Sequence, residues 1–108
     1  MNTLLLFTYG TLQDEAIQMA LLGRKLIGNN DVLLKFKLET LKIPDSGETE
    51  FSTYFIAVYT GIPTDTITGT VYTIHKNELN KLDSYEGPNY KRSLVKLKSD
   101  LEAYVYHE

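Results

Sequence analysis

Two short segments of this chain contain residues whose types and spacing can do chemistry. The first is Tyr9-Gly10-Thr11-Leu12, which follows an apolar run and precedes helix-forming residues. A glycine can adopt backbone angles closed to other residues, so the turn can point several N–H groups into one space. With the Thr11 hydroxyl and a helix start, such a loop can bind a carboxylate. The alternative is a plain strand-to-helix turn with Thr11 as the helix N-cap.

The second segment, residues 82–92, places a single carboxylate, Glu86, at the end of a predicted helix and before a Gly-Pro turn. A carboxylate in an apolar, aromatic setting has a raised pKa, which suits proton transfer near neutral pH. The alternative is a solvated acid that pairs with a basic neighbour: Lys81, Lys91 or Arg92. Asp83 is the rival carboxylate, but its position before Ser84 favours capping or turn formation.

Tyr90 and Arg92 lie two residues apart, so a strand places them on the same face. They can position Glu86 or a substrate, or Arg92 can simply pair with Asp83. The two histidines, His75 and His107, have no acid cluster or second histidine nearby in sequence, so we expect no metal site. No P-loop, dinucleotide or serine-hydrolase motif is present either. We therefore expect no cofactor.

Composition limits the function classes further. The 108 residues fit one domain, 1–108, and the net charge of −3 argues against nucleic-acid binding. The chain has no cysteine, which excludes disulfides and a thiol nucleophile. The apolar run at residues 4–7 is too short for a signal peptide or a membrane span. We expect a cytoplasmic protein that binds neither nucleic acid nor membrane; the sequence does not indicate its oligomeric state.

The patterning predicts strand, helix, three strands, helix and two strands. Apolar, alternating or β-branched runs predict strands at 4–9, 32–41, 54–59, 66–74, 90–98 and 101–107. Helix formers and three-residue leucine spacing predict short helices at 13–22 and 76–84, and residues 42–52 read as a loop. Six strands and two helices in so short a chain indicate an α+β fold with a highly curved sheet or a small mixed β-barrel, because closure removes exposed edges. We expect the small mixed β-barrel. Eight tyrosines can line a pocket, although strand tyrosines are more often core residues.

Taken together, the two segments resemble the gamma-glutamylcyclotransferase-like superfamily, especially its AIG2-like, gamma-glutamylamine cyclotransferase branch. The Tyr-Gly-[Ser/Thr]-Leu signature matches residues 9–12. The Leu-Asp-x-[Phe/Tyr]-Glu and Tyr-x-Arg signatures match 82–86 and 90–92. Weaker matches are Gly28, the Gly-x-Val-Tyr of residues 69–72 and the closing Ala-Tyr-Val-Tyr of 103–106. The chain departs at Thr70, where the family often has glutamate, and it lacks the C-terminal extension of some members.

The resemblance implies an enzyme that cyclises a gamma-glutamyl group to 5-oxoproline and releases an amine or amino acid. Glu86 matches the family's catalytic glutamate, which would act as general acid and base. Tyr9, Gly10, Thr11 and Leu12 would form the loop that holds the substrate carboxylate, with Tyr90 and Arg92 as further substrate-binding residues. The alternative is a non-catalytic module that binds a small carboxylate on the same fold; a third possibility is another amide-cleaving or acyl-transfer reaction.

Overall fold

The computed structural model describes residues 2–44 and 51–108 and shows an α+β fold, as the sequence predicts. Within these residues there are seven strands, one more than expected. They are β1 (Thr3–Thr8), β2 (Gly28–Leu34), β3 (Phe36–Pro44), β4 (Phe51–Tyr59), β5 (Thr66–His75), β6 (Lys91–Lys96) and β7 (Glu102–His107). The two α-helices are α1 (Glu15–Leu22) and α2 (Leu79–Glu86), preceded by 3-10 turns at Thr11–Gln13 and Lys76–Glu78.

Five strands form one sheet in the order β2-β5-β1-β7-β6, and β3 and β4 form a separate antiparallel hairpin. The central strand β1 runs antiparallel to β5 but parallel to β7, with Leu6 opposite Tyr104 and Phe7 opposite Val105. The carboxyl ends of β1 and β7 therefore lie side by side. The loop that follows β1 leaves the sheet next to the last residues of β7.

Alternating residues of β1 supply two cores, one on each face of the sheet. Phe7 packs on one face with side chains of the β3–β4 hairpin, including Phe36 and Ala57. Leu6 packs on the other face with residues from the helical segments, including Leu12 and Leu82. Burial of this apolar area is the main stabilising term of such a fold. It also fixes both the hairpin and α2 against the strand from which the Tyr9–Leu12 loop emerges.

The single strand predicted at residues 32–41 is wrong, because the chain turns at Lys35. Lys35 has a φ of 69°, in the left-handed region that residues other than glycine rarely adopt. Backbone hydrogen bonds hold it there: its N–H donates to Asp65 O at 2.8 Å, and its carbonyl accepts from Thr60 N at 2.8 Å. The alternation of apolar and charged residues continues across Lys35, so the pattern carries no sign of this break.

The predicted closed β-barrel is also wrong, since the five-stranded sheet stays open. The turn at Lys35 sends β3 away to pair only with β4, so these two strands form a separate hairpin and do not help to close the sheet. Its edge strands β2 and β6 are joined at one end by the loop after β6. There Lys98 N donates to Val32 O at 3.0 Å and Ser99 Oγ donates to Asp31 at 2.5 Å.

Other boundaries differ from the expectation by a few residues. The loop predicted at residues 42–52 is strand at both ends, because β3 continues to Pro44 and β4 starts at Phe51. The remaining part of that loop, residues 45–50, lies outside the described residues. The first helix starts at Glu15 rather than at residue 13, and α2 extends to Glu86. Within the part of the chain that the structure describes, no helix combines the length and apolar character needed to cross a bilayer.

Candidate active site

A cavity of about 550 Å³ opens where the loop after β1 meets the end of α2 and strand β4. The structure brings five of the seven predicted site residues to it. The lining residues are Phe7, Thr8, Tyr9, Gly10, Thr11, Gln13, Tyr54, Phe55, Tyr85, Glu86, Tyr90 and Tyr106. The two predicted residues that do not line the cavity are Leu12 and Arg92.

Glu86 is the last residue of α2, and its carboxylate faces this cavity. Gly87 ends the helix with a φ of 83° and donates its N–H to Asp83 O at 3.0 Å, so the chain turns sharply just after Glu86. Burial raises the pKa of Glu86 from 4.5 to about 7, because the apolar surroundings disfavour its charged form. The carboxyl group can therefore both accept and donate a proton near neutral pH.

Glu86 is free to act because nothing in the described residues neutralises it. Its side chain makes no hydrogen bond or ion pair with those residues. Every fully buried polar side-chain atom in the described residues has a hydrogen-bond partner, so the Glu86 oxygens are not fully buried. The Glu86 oxygens, which have no such partner, thus remain accessible from the cavity. The pairing with Lys81, Lys91 or Arg92 that the sequence left open is not seen among these residues.

The Tyr9 hydroxyl is committed to the protein itself. It donates to the carbonyl of Tyr106 at 2.6 Å and accepts a hydrogen bond from Ala57 N at 2.9 Å. Burial is the main cause that raises the pKa of Tyr9, with a smaller contribution from the nearby Glu86 charge. Tyr9 therefore joins the loop to β4 and β7 beside Glu86. This geometry favours a role in positioning the cavity walls; direct substrate binding by Tyr9 stays a prediction.

Gly10 and Thr11 form the loop edge of the cavity. The backbone angles of Gly10 are φ −122° and ψ −144°, so the loop does not use the positive φ that glycine permits at this position. A Cβ built on Gly10 meets no atom within 4 Å, which shows open space beside it. The N–H groups of Thr11 and Leu12 have no acceptor in the described residues, so backbone donors are available in this loop.

Thr11 is not the helix N-cap. Asp14 caps α1 instead, and its Oδ1 accepts from Ala16 N at 2.9 Å. The Thr11 hydroxyl is in close hydrogen-bond contact with the Tyr85 hydroxyl, the residue before Glu86. That contact joins the loop to the end of α2 directly at the cavity.

Tyr90 forms part of the opposite wall. Its hydroxyl donates to the carbonyl of Phe55 at 2.9 Å, which joins the segment after α2 to strand β4. Burial, and then the negative charge of Glu86, raise the pKa of Tyr90, so the phenol stays protonated next to the carboxylate. Its neighbour Phe55 leaves about half of its side chain exposed beside the cavity.

Arg92 pairs with Asp83 rather than facing the cavity. Its Nη1 lies 2.8 Å from both Asp83 oxygens, and the Tyr106 hydroxyl donates to the same carboxylate at 2.7 Å. The sequence suggested that Asp83 caps a helix or forms a turn. In the structure its side chain instead joins α2 to β6 and β7. Because Asp83 precedes Glu86 by about one helical turn, this network holds the segment that carries Glu86.

Leu12 is buried in the core formed by Leu6 and Leu82, with an exposed fraction of 3%. Its side chain therefore anchors the loop instead of contacting a ligand. The assignments of Leu12 and Arg92 as substrate-binding residues stay predictions, and the geometry favours structural roles for their side chains.

Several lining residues were not singled out from the sequence. Five of the eight tyrosines line the cavity, although each is more easily read as a core residue. Tyr54 and Phe55 come from the separate hairpin, and no local signal indicates that it packs beside Glu86. Gln13 follows the Tyr9–Leu12 motif directly, and this adjacency was the one available signal for it. Among the described residues, no three acidic or histidine side chains come together as a metal would require.

Solved structures with the same fold come from several sources. A human protein described as uncharacterised matches with a TM-score of 0.76 and 23% identity over 99% of this chain and 67% of its own. A structure named gamma-glutamyl cyclotransferase gives a TM-score of 0.75 and 21% identity over 97% and 66%. A protein from Arabidopsis thaliana gives 0.74 and 20% over 99% and 69%. At these identities the likeness shows the fold alone, and the chain spans about two thirds of each structure's length.

No curated protein is significantly similar to the chain in sequence. The family model described as gamma-glutamyl cyclotransferase, AIG2-like, matches residues 6–108, which include both motifs and every residue that lines the cavity. The chain therefore belongs to the AIG2-like gamma-glutamyl cyclotransferase family.

Proposed function

We propose that the protein is a gamma-glutamyl cyclotransferase in which Glu86 transfers the protons. The observation that carries the proposal is the position of Glu86: a carboxylate without a partner among the described residues, facing a cavity, with a pKa raised to about 7. The family membership and the related fold support the same reaction class. The proposed substrate is a gamma-glutamyl amide, and the products are 5-oxoproline and a free amine or amino acid.

The reaction needs two proton transfers. The α-amine of the substrate has a pKa near 8 and is mostly protonated at neutral pH. Ionised Glu86 accepts a proton from this ammonium group, and the freed amine attacks the γ-carbonyl to close a five-membered ring. The C–N bond to the leaving amine then breaks, Glu86 returns its proton to that nitrogen, and the ring nitrogen releases its remaining extra proton to water. General acid–base catalysis of this kind contributes about 10²–10⁴-fold to a rate.

The cavity walls would contribute orientation and electrostatic stabilisation. The backbone N–H of Thr11, together with that of Leu12, is available to hold the substrate carboxylate. Holding the amine against the γ-carbonyl in a folded conformation removes most of the entropic cost of cyclisation. The Thr11–Tyr85 contact and the Tyr90–Phe55 hydrogen bond would keep the two sides of the cavity at a fixed separation.

The test is the release of 5-oxoproline from a panel of gamma-glutamyl amino acids, dipeptides and amines. We expect the wild-type protein to cyclise at least one class, and Glu86→Gln to abolish that turnover while it folds normally. Glu102→Gln is the matched control, because Glu102 is an exposed glutamate on β7 that does not line the cavity. Equal turnover by wild type and Glu86→Gln would remove Glu86 from the reaction.

The pH dependence gives a second test of the same residue. Since Glu86 must be ionised to accept the first proton, kcat/KM should rise tenfold per pH unit below about pH 7 and level off above it, until the substrate ammonium group itself loses its proton near pH 8. A profile that levels off near the ordinary glutamate pKa of 4.5 would contradict this role. Binding of gamma-glutamyl compounds without any product would instead indicate the non-catalytic module.

A further inference from the structure

The inference concerns Gln13, which lines the cavity beside the loop that carries the free backbone donors. Its side-chain Nε2 donates to the carbonyl of Gly10 at 3.2 Å, and its backbone N–H donates to the same oxygen at 3.2 Å. Its side-chain Oε1 in turn accepts a hydrogen bond from the Thr70 hydroxyl at 3.0 Å. One carbonyl group of the loop thus receives two hydrogen bonds from one residue.

Thr70 is well placed to hold this side chain. It lies on β5 directly opposite Thr8, the last residue of β1. The Gln13 amide therefore spans from the rigid five-stranded sheet to the loop. With its oxygen held by Thr70, the amide is oriented so that its nitrogen points at Gly10.

Fixing the Gly10 carbonyl also fixes the next N–H group. The peptide bond is planar and trans, so the carbonyl of Gly10 and the N–H of Thr11 point in opposite directions. Gln13 holds the carbonyl on its own side, which turns the Thr11 N–H away from it. That N–H has no acceptor among the described residues, and Thr11 lines the cavity.

We propose that Gln13, oriented by Thr70, is a positioning residue that fixes the Gly10–Thr11 peptide plane so that the Thr11 N–H is presented to the substrate carboxylate. This proposal rests on the proposed function and adds to it the means by which the loop donor is pre-oriented. Without the Gln13 amide, the Gly10 carbonyl keeps only the hydrogen bond from the backbone N–H of residue 13. The peptide plane is then held less firmly, and part of the binding free energy is spent on ordering it.

The kinetic test uses Gln13→Met, which keeps the side-chain length but removes the amide, and Thr70→Val, which removes the hydroxyl. Because the carboxylate is held equally in the ground and transition states, KM for a responsive gamma-glutamyl amide should rise about five- to tenfold while kcat stays within about twofold. Thr70→Ser should restore KM. The double variant should be no worse than Gln13→Met alone, since both changes break the same contact.

The matched control is Thr68→Val, two residues before Thr70 on the same strand face and outside this cavity. It should leave KM unchanged. All variants should unfold at the wild-type temperature within about 2 °C, because the contacts they remove are exposed. An unchanged KM in Gln13→Met, or a fall in kcat with KM unchanged, overturns the proposal.

A binding measurement keeps this proposal separate from the reaction itself. NMR titration with 5-oxoproline, which carries one carboxylate, should shift the Thr11 amide signal of the wild type. Gln13→Met should raise the dissociation constant for 5-oxoproline by the same five- to tenfold. If no substrate is ever cyclised, the proposed function fails, but this binding difference still tests Gln13. An equal dissociation constant in the two proteins refutes the positioning role.

Discussion

Replacement of Glu86 by glutamine should make the protein inactive and, above neutral pH, more stable. In the folded chain burial raises the pKa of Glu86 from 4.5 to about 7, so the folded state retains this proton where the unfolded chain has lost it. Between these two values the folded state binds more protons than the unfolded state, and stability falls as the pH rises. Above about pH 7 both states are ionised and the cost is constant. Glutamine is nearly the same size and never ionises.

The magnitude follows from the two pKa values. One pKa unit corresponds to about 1.36 kcal/mol, so the wild type loses about 3 kcal/mol by pH 8 relative to an uncharged side chain. The free energy of unfolding of Glu86→Gln should therefore exceed that of the wild type by about 3 kcal/mol at pH 8 and by almost nothing at pH 4. In a chain of 108 residues that difference corresponds to roughly 13 °C in Tm.

Urea denaturation at a series of pH values measures this difference directly. The Glu102→Gln protein should show no such pH-dependent gain, since its glutamate is exposed. A Glu86→Gln protein that is less stable than the wild type at pH 8 would refute the reasoning. It would mean that the fold stabilises the charged carboxylate instead of penalising it.

Three further predictions concern the walls of the cavity. Tyr9→Phe removes the hydroxyl that Ala57 donates to, so we expect a loss of about 1–3 kcal/mol of stability by urea denaturation; no loss would contradict the role given to that hydroxyl. Gly10→Ala should change stability by less than about 0.5 kcal/mol but raise KM severalfold, because the added methyl group enters open space at the cavity. Steady-state kinetics measure this, and an unchanged KM would show that the substrate does not occupy the space beside Gly10. Arg92→Met should cost about 0.2–1 kcal/mol through the lost Asp83 pair and leave KM within twofold, and a large KM increase would assign Arg92 to the substrate instead.

The sequence predicted much of the local structure, for reasons that lie in the residues themselves. Alternating and β-branched runs gave the positions of five of the seven strands, and the leucine spacing gave α2, because these periods follow from backbone geometry. The turn at Lys35 could not be predicted. Its positive φ is maintained by hydrogen bonds to Thr60 and Asp65, more than twenty residues away, and the local pattern contains no glycine or proline to mark it.

The candidate site also has parts that the sequence indicated and parts that only the fold revealed. Glu86 and the Tyr9–Leu12 loop were proposed from their residue types and from the resemblance of both motifs, in order, to one family. The roles of Leu12 and Arg92 were not fixed by local signals, because which partner a side chain meets depends on distant elements. Arg92 has several acids within reach in sequence, and only the fold brings Asp83 and Tyr106 to it.

The sequence by itself thus singled out one carboxylate and one loop as candidates, and it predicted the α+β fold. Only the tertiary structure decided whether they meet. The parallel pairing of β1 and β7 places the loop beside the end of β7, and the Asp83 network holds the end of α2 against β6 and β7. Packing of these distant segments removes water from around Glu86, and it is this desolvation that raises its pKa. The aromatic sequence neighbours of Glu86 already indicated the direction of this shift, but the burial that causes it comes from the packing of distant segments.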